Sequence, residues 1–188
     1  MIWIIVSAVF VLLLFALIYG VGSFIPHTTN MCVVDVERNI NQCFALATQP
    51  ELYQKYLPGI QKLEFESGHF AEKGSLGSLH TKRGQFQFEV TDFIPNYRVA
   101  VRHEGASETW RFQLSFYKLS LNSARLVLIA TVETKSKFGR SVNAFQKKSR
   151  MRFFNETLQQ AKKCVENEPD LAETYPDVSP EENPNFTL

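Results

Sequence analysis

The sequence predicts an α+β fold: a curved antiparallel sheet wrapped on one long C-terminal helix, preceded by one transmembrane helix. Three observations predict it. No Lys, Arg, Asp or Glu occurs from Met1 to Val34. From Leu63 to Val132, apolar and polar residues alternate with a period of two, and turn residues divide the run into strands. From Arg140 to Glu166 the period changes to that of a helix, with no Pro or Gly to interrupt it.

Residues 1–25 come first. Ile2 to Ile25 is apolar apart from Ser7, Ser23 and two glycines. As a helix it would span about 36 Å at ~1.5 Å per residue, enough for a hydrocarbon core of ~30 Å. Trp3 and Tyr19 suit the two interfaces. A cleaved signal peptide would carry a basic start and a small-residue cleavage site, and neither is present. The expectation is a single-pass anchor. The few charges that flank it lean towards a domain on the extracytoplasmic side.

Residues 26–30 read as a linker, and residues 31–166 as the folded domain. Met31 to Arg38 alternates as a strand, with Val34 and Val36 on one face and Asp35 and Glu37 on the other. Asn39 or Asn41 can cap a helix that runs through Thr48. Pro50 suits the first position of a second short helix, which Leu57-Pro58-Gly59 ends. Strands follow around Leu63 and Phe65; Phe86, Phe88 and Val90; Val99, Val101 and His103; Trp110 to Phe116; and Leu126 to Val132. Gly68, Gly74, Gly84, Pro95-Asn96, Gly105 and Leu121-Asn122-Ser123 supply the turns. Val142, Phe145, Phe154, Leu158, Ala161 and Val165 are read as the apolar stripe of the long helix. Residues 167–188, rich in Pro and acid, read as a disordered tail.

A sheet has one apolar face to bury, and one long helix cannot cover a wide curved sheet. Two short helices, broken at Pro50 and Pro58, would brace one end as a V and leave a hollow. The order of features resembles the helix-grip (Bet v 1-like) fold of the START-like superfamily, in particular its polyketide cyclase/dehydrase and lipid-transport group. The resemblance is carried by Phe44-Ala45-Leu46, Pro50-Glu51-Leu52-Tyr53, Tyr56-Leu57-Pro58-Gly59, Gly74 and Gly77, Asp92 with Pro95, and Trp110-Arg111-Phe112. Tyr-x-x-Tyr-Leu-Pro-Gly is also similar to the coenzyme-Q-binding subgroup. The resemblance covers Met31 to about Glu166. It implies a cavity for a hydrophobic ligand and does not fix one activity.

The residues placed at that cavity are Phe86, Phe88, Val101, His103, Trp110, Phe112 and Leu114 on the sheet, with Phe145 and Phe154 on the helix. For the aromatic residues, plain core is the competing reading. His103 is the one ionisable group that alternation puts on the apolar face, where it could bond a ligand carbonyl or act as acid or base. No orienting partner is evident, so no catalytic residue is assigned. Cys32, Cys43 and Cys164 lack metal-ligand spacing, and neither a metal nor a cofactor is expected.

Between Glu133 and Glu156 there is no acid, and Lys147, Lys148, Arg150 and Arg152 are read as a basic patch. An ordinary solvated helix face competes with an anionic lipid surface. Nucleic acid fits poorly, because no exposed aromatics interleave with the charges. With 188 residues and a formal charge of +1, composition points to no polyanionic partner. The function expected is a membrane-anchored binding protein for a lipid or other hydrophobic small molecule. The alternatives are a cyclase- or hydrolase-type enzyme on the same fold and a non-enzymatic protein-interaction module.

Overall fold

A computed structural model of the chain describes residues 2–66, 72–82 and 84–168. The turn expected at Gly68 and the tail from residue 169 onward lie outside the described residues. So do Met1 and the side chains of residues 2–6 and 8 at the start of the expected anchor.

Eleven elements follow in order: α1 (Ile2–Phe24), β1 (His27–Val36), α2 (Ile40–Thr48), α3 (Pro50–Tyr56), β2 (Ile60–Phe65), β3 (Leu76–Thr81), β4 (Gly84–Ile94), β5 (Arg98–Glu104), β6 (Glu108–Ser120), β7 (Ser123–Thr134) and α4 (Lys137–Asn167). The seven strands form one antiparallel sheet in the order β1-β7-β6-β5-β4-β3-β2. Sequence neighbours pair throughout β2 to β7, and β1 returns to close the far edge against β7. Alternation and turn chemistry suffice for this meander. A register shift between Val90 and Asp92 bends β4, and Arg98 Nε meets Asp92 Oδ2 at 2.6 Å beside it.

The V of short helices is present. Asn39 Oδ1 accepts from Gln42 N at 2.8 Å and so caps α2. Gln49 ends α2 and precedes Pro50; it is extended, at φ −100° and ψ 107°, because a residue before proline is pushed out of the helical region. Two tyrosines of α3 then tie it back to α2. Tyr53 Oη donates to Ala47 O at 2.7 Å, and Tyr56 Oη to Leu46 O at 2.9 Å. Burial pushes both phenols above their ordinary pKa. Gly59, at φ +87°, turns the chain into β2.

The main core lies where α2 and the C-terminal half of α4 meet the inner face of the sheet. Phe44 packs on Phe116 at 5.2 Å and on Phe93 at 5.7 Å. Val34, Val36, Leu126, Phe154, Leu158, Ala161 and Val165 complete it. Arg38 secures the last turn of α4, with Nη2 donating to Glu166 O at 2.7 Å.

Three expectations need correction. Residues 27–30 are not linker but the first part of β1, pairing with Ala130 to Glu133. The β-branched Thr28 and Thr29 suit that ladder, and the Thr29 and Thr131 hydroxyls meet at 3.2 Å. β3 was not separately legible, because its run Leu76-Gly77-Ser78-Leu79-His80 has too few apolar residues to alternate. The stripe of α4 also changes content. Phe145 is 67% exposed and points away from the sheet. Counting back from Phe154 in steps of three and four reaches Arg150 and Asn143, and these occupy the inner side instead.

The C-terminal end of α1 packs on the start of α4. A Cβ on Gly22 would fall 1.8 Å from Lys137 O, so only glycine permits this approach. Ser141 Oγ donates to Ile18 O, and Lys137 Nζ lies 4.8 Å from the centroid of the Tyr19 ring. Elsewhere the apolar side chains of α1 are exposed from Val9 to Leu17 and again at Phe24. Among the described residues, no helix is long and apolar enough to cross a membrane. The continuous described side chains of α1 run from Val9 to Phe24, about 24 Å of helix at ~1.5 Å per residue.

Candidate functional site

The inner face of the sheet is sealed at one end and open at the other. Cross-strand rows make this visible. The row Val34–Leu126–Phe116 is fully buried under α2 and α4. One row on, Leu128 and Leu114 are half-buried; beyond them Phe112 and Val101, and then Trp110 and His103, are half-buried too. α4 packs on β1 and β7 rather than on the centre of the sheet, so the inner faces of β3 to β6 have no helix across them at this end.

Val101, His103, Trp110, Phe112 and Leu114 therefore share the less buried end of this face. Trp110 and Phe112 stack with ring centroids 5.6 Å apart and planes 10° from parallel, and Phe154 of α4 meets Phe112 edge-on at 6.0 Å. Phe88 stands at the far wall, edge-on to Phe65 at 5.7 Å. It lies over Gly77, where a Cβ would fall 2.4 Å from the ring. Phe86 is 38% exposed at the rim and T-shaped to His103 at 5.5 Å. Phe145 takes no part. His103 Nδ1 donates to the Gln87 carbonyl, which leaves Nε2 as the ring's remaining polar atom. No carboxylate among the described residues bonds to His103.

The expected basic patch divides. Lys147, Lys148 and Arg152 are exposed, and Arg152 Nε donates to Glu156 Oε1 at 2.9 Å. Lys148 and Arg152 border an open groove of about 390 Å³ outside the β1 edge, with Met31, Val33 and Met151. Arg150 turns inward. Its guanidinium lies 4.8 Å from the centroid of the Trp110 ring. Nη2 donates to Asn143 Oδ1, and to Gln146 Oε1 at 3.0 Å. Asn143 Nδ2 in turn donates to Thr134 Oγ1, and Trp110 Nε1 donates to Glu108 Oε1 at 2.9 Å. Nη1 of Arg150 is buried without a partner. Burial lowers the Arg150 pKa from its ordinary value, and the nearby Glu108 charge opposes that shift.

Sequence reasoning missed this polar cluster because it assumed that Phe145 would be buried and Arg150 exposed. Helical phase carried the missing signal: positions 143, 150, 154, 161 and 165 share one side of α4. Asn30 is a second buried polar group on the inner face. It is 2% exposed, and neither atom of its amide has a partner. Among the described residues, no group of His, Cys, Asp and Glu could hold a metal ion.

No family model matches the chain, and no curated protein matches it. Solved structures do. Norcoclaurine synthase from Thalictrum flavum, in complex with dopamine and hydroxybenzaldehyde, superposes with a TM-score of 0.56 at 10% identity, covering 74% of this chain and 86% of the enzyme. A START superfamily protein from Mycobacterium smegmatis gives 0.52 at 16% identity, over 73% and 94% of the two chains. A protein from Mesorhizobium loti gives 0.55 at 12%, over 72% and 96%. At such identities the likeness speaks to architecture, and it agrees with the strand order, the V of short helices and the long closing helix: the chain has the helix-grip fold of the Bet v 1-like and START-superfamily structures.

Proposed function

We propose that the domain binds a lipid or other hydrophobic small molecule in the hollow between the sheet and the N-terminal half of α4, and that α1 holds it at a membrane. The observation that carries the binding reading is the half-burial of Val101, Trp110, Phe112 and Leu114 on a face whose other end is fully packed. An apolar ligand covering these side chains would gain about 25 cal/mol per Å² removed from water, before the costs of association. The solved neighbours support a ligand-holding fold, since one of them carries dopamine and hydroxybenzaldehyde.

Support for the anchor comes from both sequence and packing. The run Ile2 to Ile25 has no charged residue, and from Val9 to Leu17 it exposes apolar side chains on every side. Such a helix is unfavourable in water and suited to lipid. Tyr19 and Lys137 meet at the base of α1; Phe24, two residues past Gly22, and Phe138, next to Lys137, are exposed there, as an interface belt would require. Lys137 and Arg140 open α4 with no acid in its first turn, against the helix dipole, an arrangement that an anionic lipid surface would reward. The domain then sits on one face of the bilayer, the outer one if the N-terminus stays inside.

Trp110 provides the test. The chain has two tryptophans, so Trp3→Phe leaves Trp110 as the sole indole, in the floor of the hollow. In nonionic detergent, a spin-labelled methyl stearate should quench Trp110 saturably, and unlabelled ester should reverse the quenching. Quenching that is linear and not reversed would mean simple micelle partitioning and no site.

A further inference from the structure

We infer that the ligand is an amphipathic acid: a lipid-like molecule whose carboxylate or phosphate oxygens bind Arg150 while its apolar chain lies over Trp110 and Phe112. The inference rests on the hollow being a ligand site and adds the chemistry of the ligand's head. Four observations carry it.

Arg150 leaves the basic surface of α4 and enters the hollow, where its guanidinium lies over the face of Trp110. Its hydrogen-bond acceptors there are neutral amide oxygens, those of Asn143 and Gln146. Among the described residues, no carboxylate forms an ion pair with it. Glu108 acts on it only at longer range, and its Oε1 is taken by Trp110 Nε1. Finally, Nη1 is buried with no acceptor. A partly buried guanidinium with one buried, idle donor is satisfied when an anion completes it.

A guanidinium presents parallel N–H groups in one plane, and two oxygens of a carboxylate or phosphate match them. Two features prepare Arg150 for that partner. The Thr134–Asn143 bond fixes the amide that holds Nη2. Trp110 supports the other side of the cation, as aromatic faces do. Directly beside the head, the stacked Trp110–Phe112 pair and Phe154 offer an apolar track for a chain. His103, in the same cross-strand row as Trp110, offers a second polar contact near the head.

The test uses the full chain carrying Trp3→Phe at about pH 8, with spin-labelled stearic acid, its methyl ester and a spin-labelled lysophosphatidic acid as probes. The acid or the phosphate should bind roughly 10- to 100-fold tighter than the ester, the range expected for a hydrogen bond to a charged group. Whichever anion is preferred identifies the head. Arg150→Met keeps an unbranched side chain over Trp110 and should remove the preference for acid over ester. Arg150→Lys should restore part of it. Equal affinity of acid and ester in the parent would overturn the head-group inference and leave the cavity reading standing. If neither acid, phosphate nor ester binds, the cavity reading itself fails. An Arg150→Met variant that binds ester and still prefers the acid would place the anion elsewhere and overturn the assignment.

Discussion

Cys43 is fully buried in α2, and its thiol is directed at the Arg38 carbonyl at 3.8 Å. Burial pushes its pKa from 9.0 up to about 12; the Glu166 charge adds to the shift, and Arg38 opposes it. The folded state therefore keeps a proton that the unfolded chain gives up. Stability is full below pH 9 and falls as pH rises from 9 towards 12, by about 1 kcal/mol per pH unit from this group. Tyr53 and Tyr56 add losses of the same sign above their ordinary 10. Urea denaturation between about pH 8 and 10.5 should show the decline, and Cys43→Ala should flatten its first part. Gly59 belongs to the same scale. No atom crowds a Cβ there, so Gly59→Val is strained by the backbone alone, and it should cost about 1–2 kcal/mol in a denaturation midpoint. Gly59→Asn should cost less, since Asn tolerates the left-handed region.

Elements show where the sequence was legible. Apart from β3, the strands from Leu63 to Val132 read directly because one face is wet and the other dry. The V of α2 and α3 read directly because proline leaves its preceding residue few conformations. β1 was cut short because Thr28 and Asn30 are polar and yet face inward, so alternation of hydrophobicity stops before alternation of burial does. α4 was right in length to within three residues at its start and wrong in the facing of its first half, where Asn143 and Arg150 take inner positions and Phe145 an outer one. Hydrophobicity reports burial only where the neighbouring surface is apolar core. At the half-buried end of this face, it fails. The packing of α1 on α4 was not legible either, and it depends on Gly22. Gly22→Val should drive α1 off α4, because the added carbon would overlap Lys137 O. A cysteine pair at Ile18 and Ser141, whose backbone and side chain touch in the structure, should cross-link readily in the parent chain and poorly in the Gly22→Val background.

At the scale of the whole molecule, one helix closes half of a seven-stranded sheet. α2, α3 and the end of α4 fill the sealed end, and there the side chains are packed as a core should be. The other end keeps Trp110, Phe112 and Val101 half-covered, with the inward-turned Arg150 above them. Both features make sense together if a molecule with an apolar body occupies the space. Native mass spectrometry of the full chain, released from nonionic detergent, tests this most directly when the parent is compared with Val101→Trp. The account predicts a bound lipid-sized mass on the parent. It predicts that Val101→Trp loses that mass and keeps its denaturation midpoint, because the new ring fills space the ligand had used. A parent that is always bare, together with a Val101→Trp variant destabilised by the 1–3 kcal/mol or so typical of an overpacked core, would contradict it.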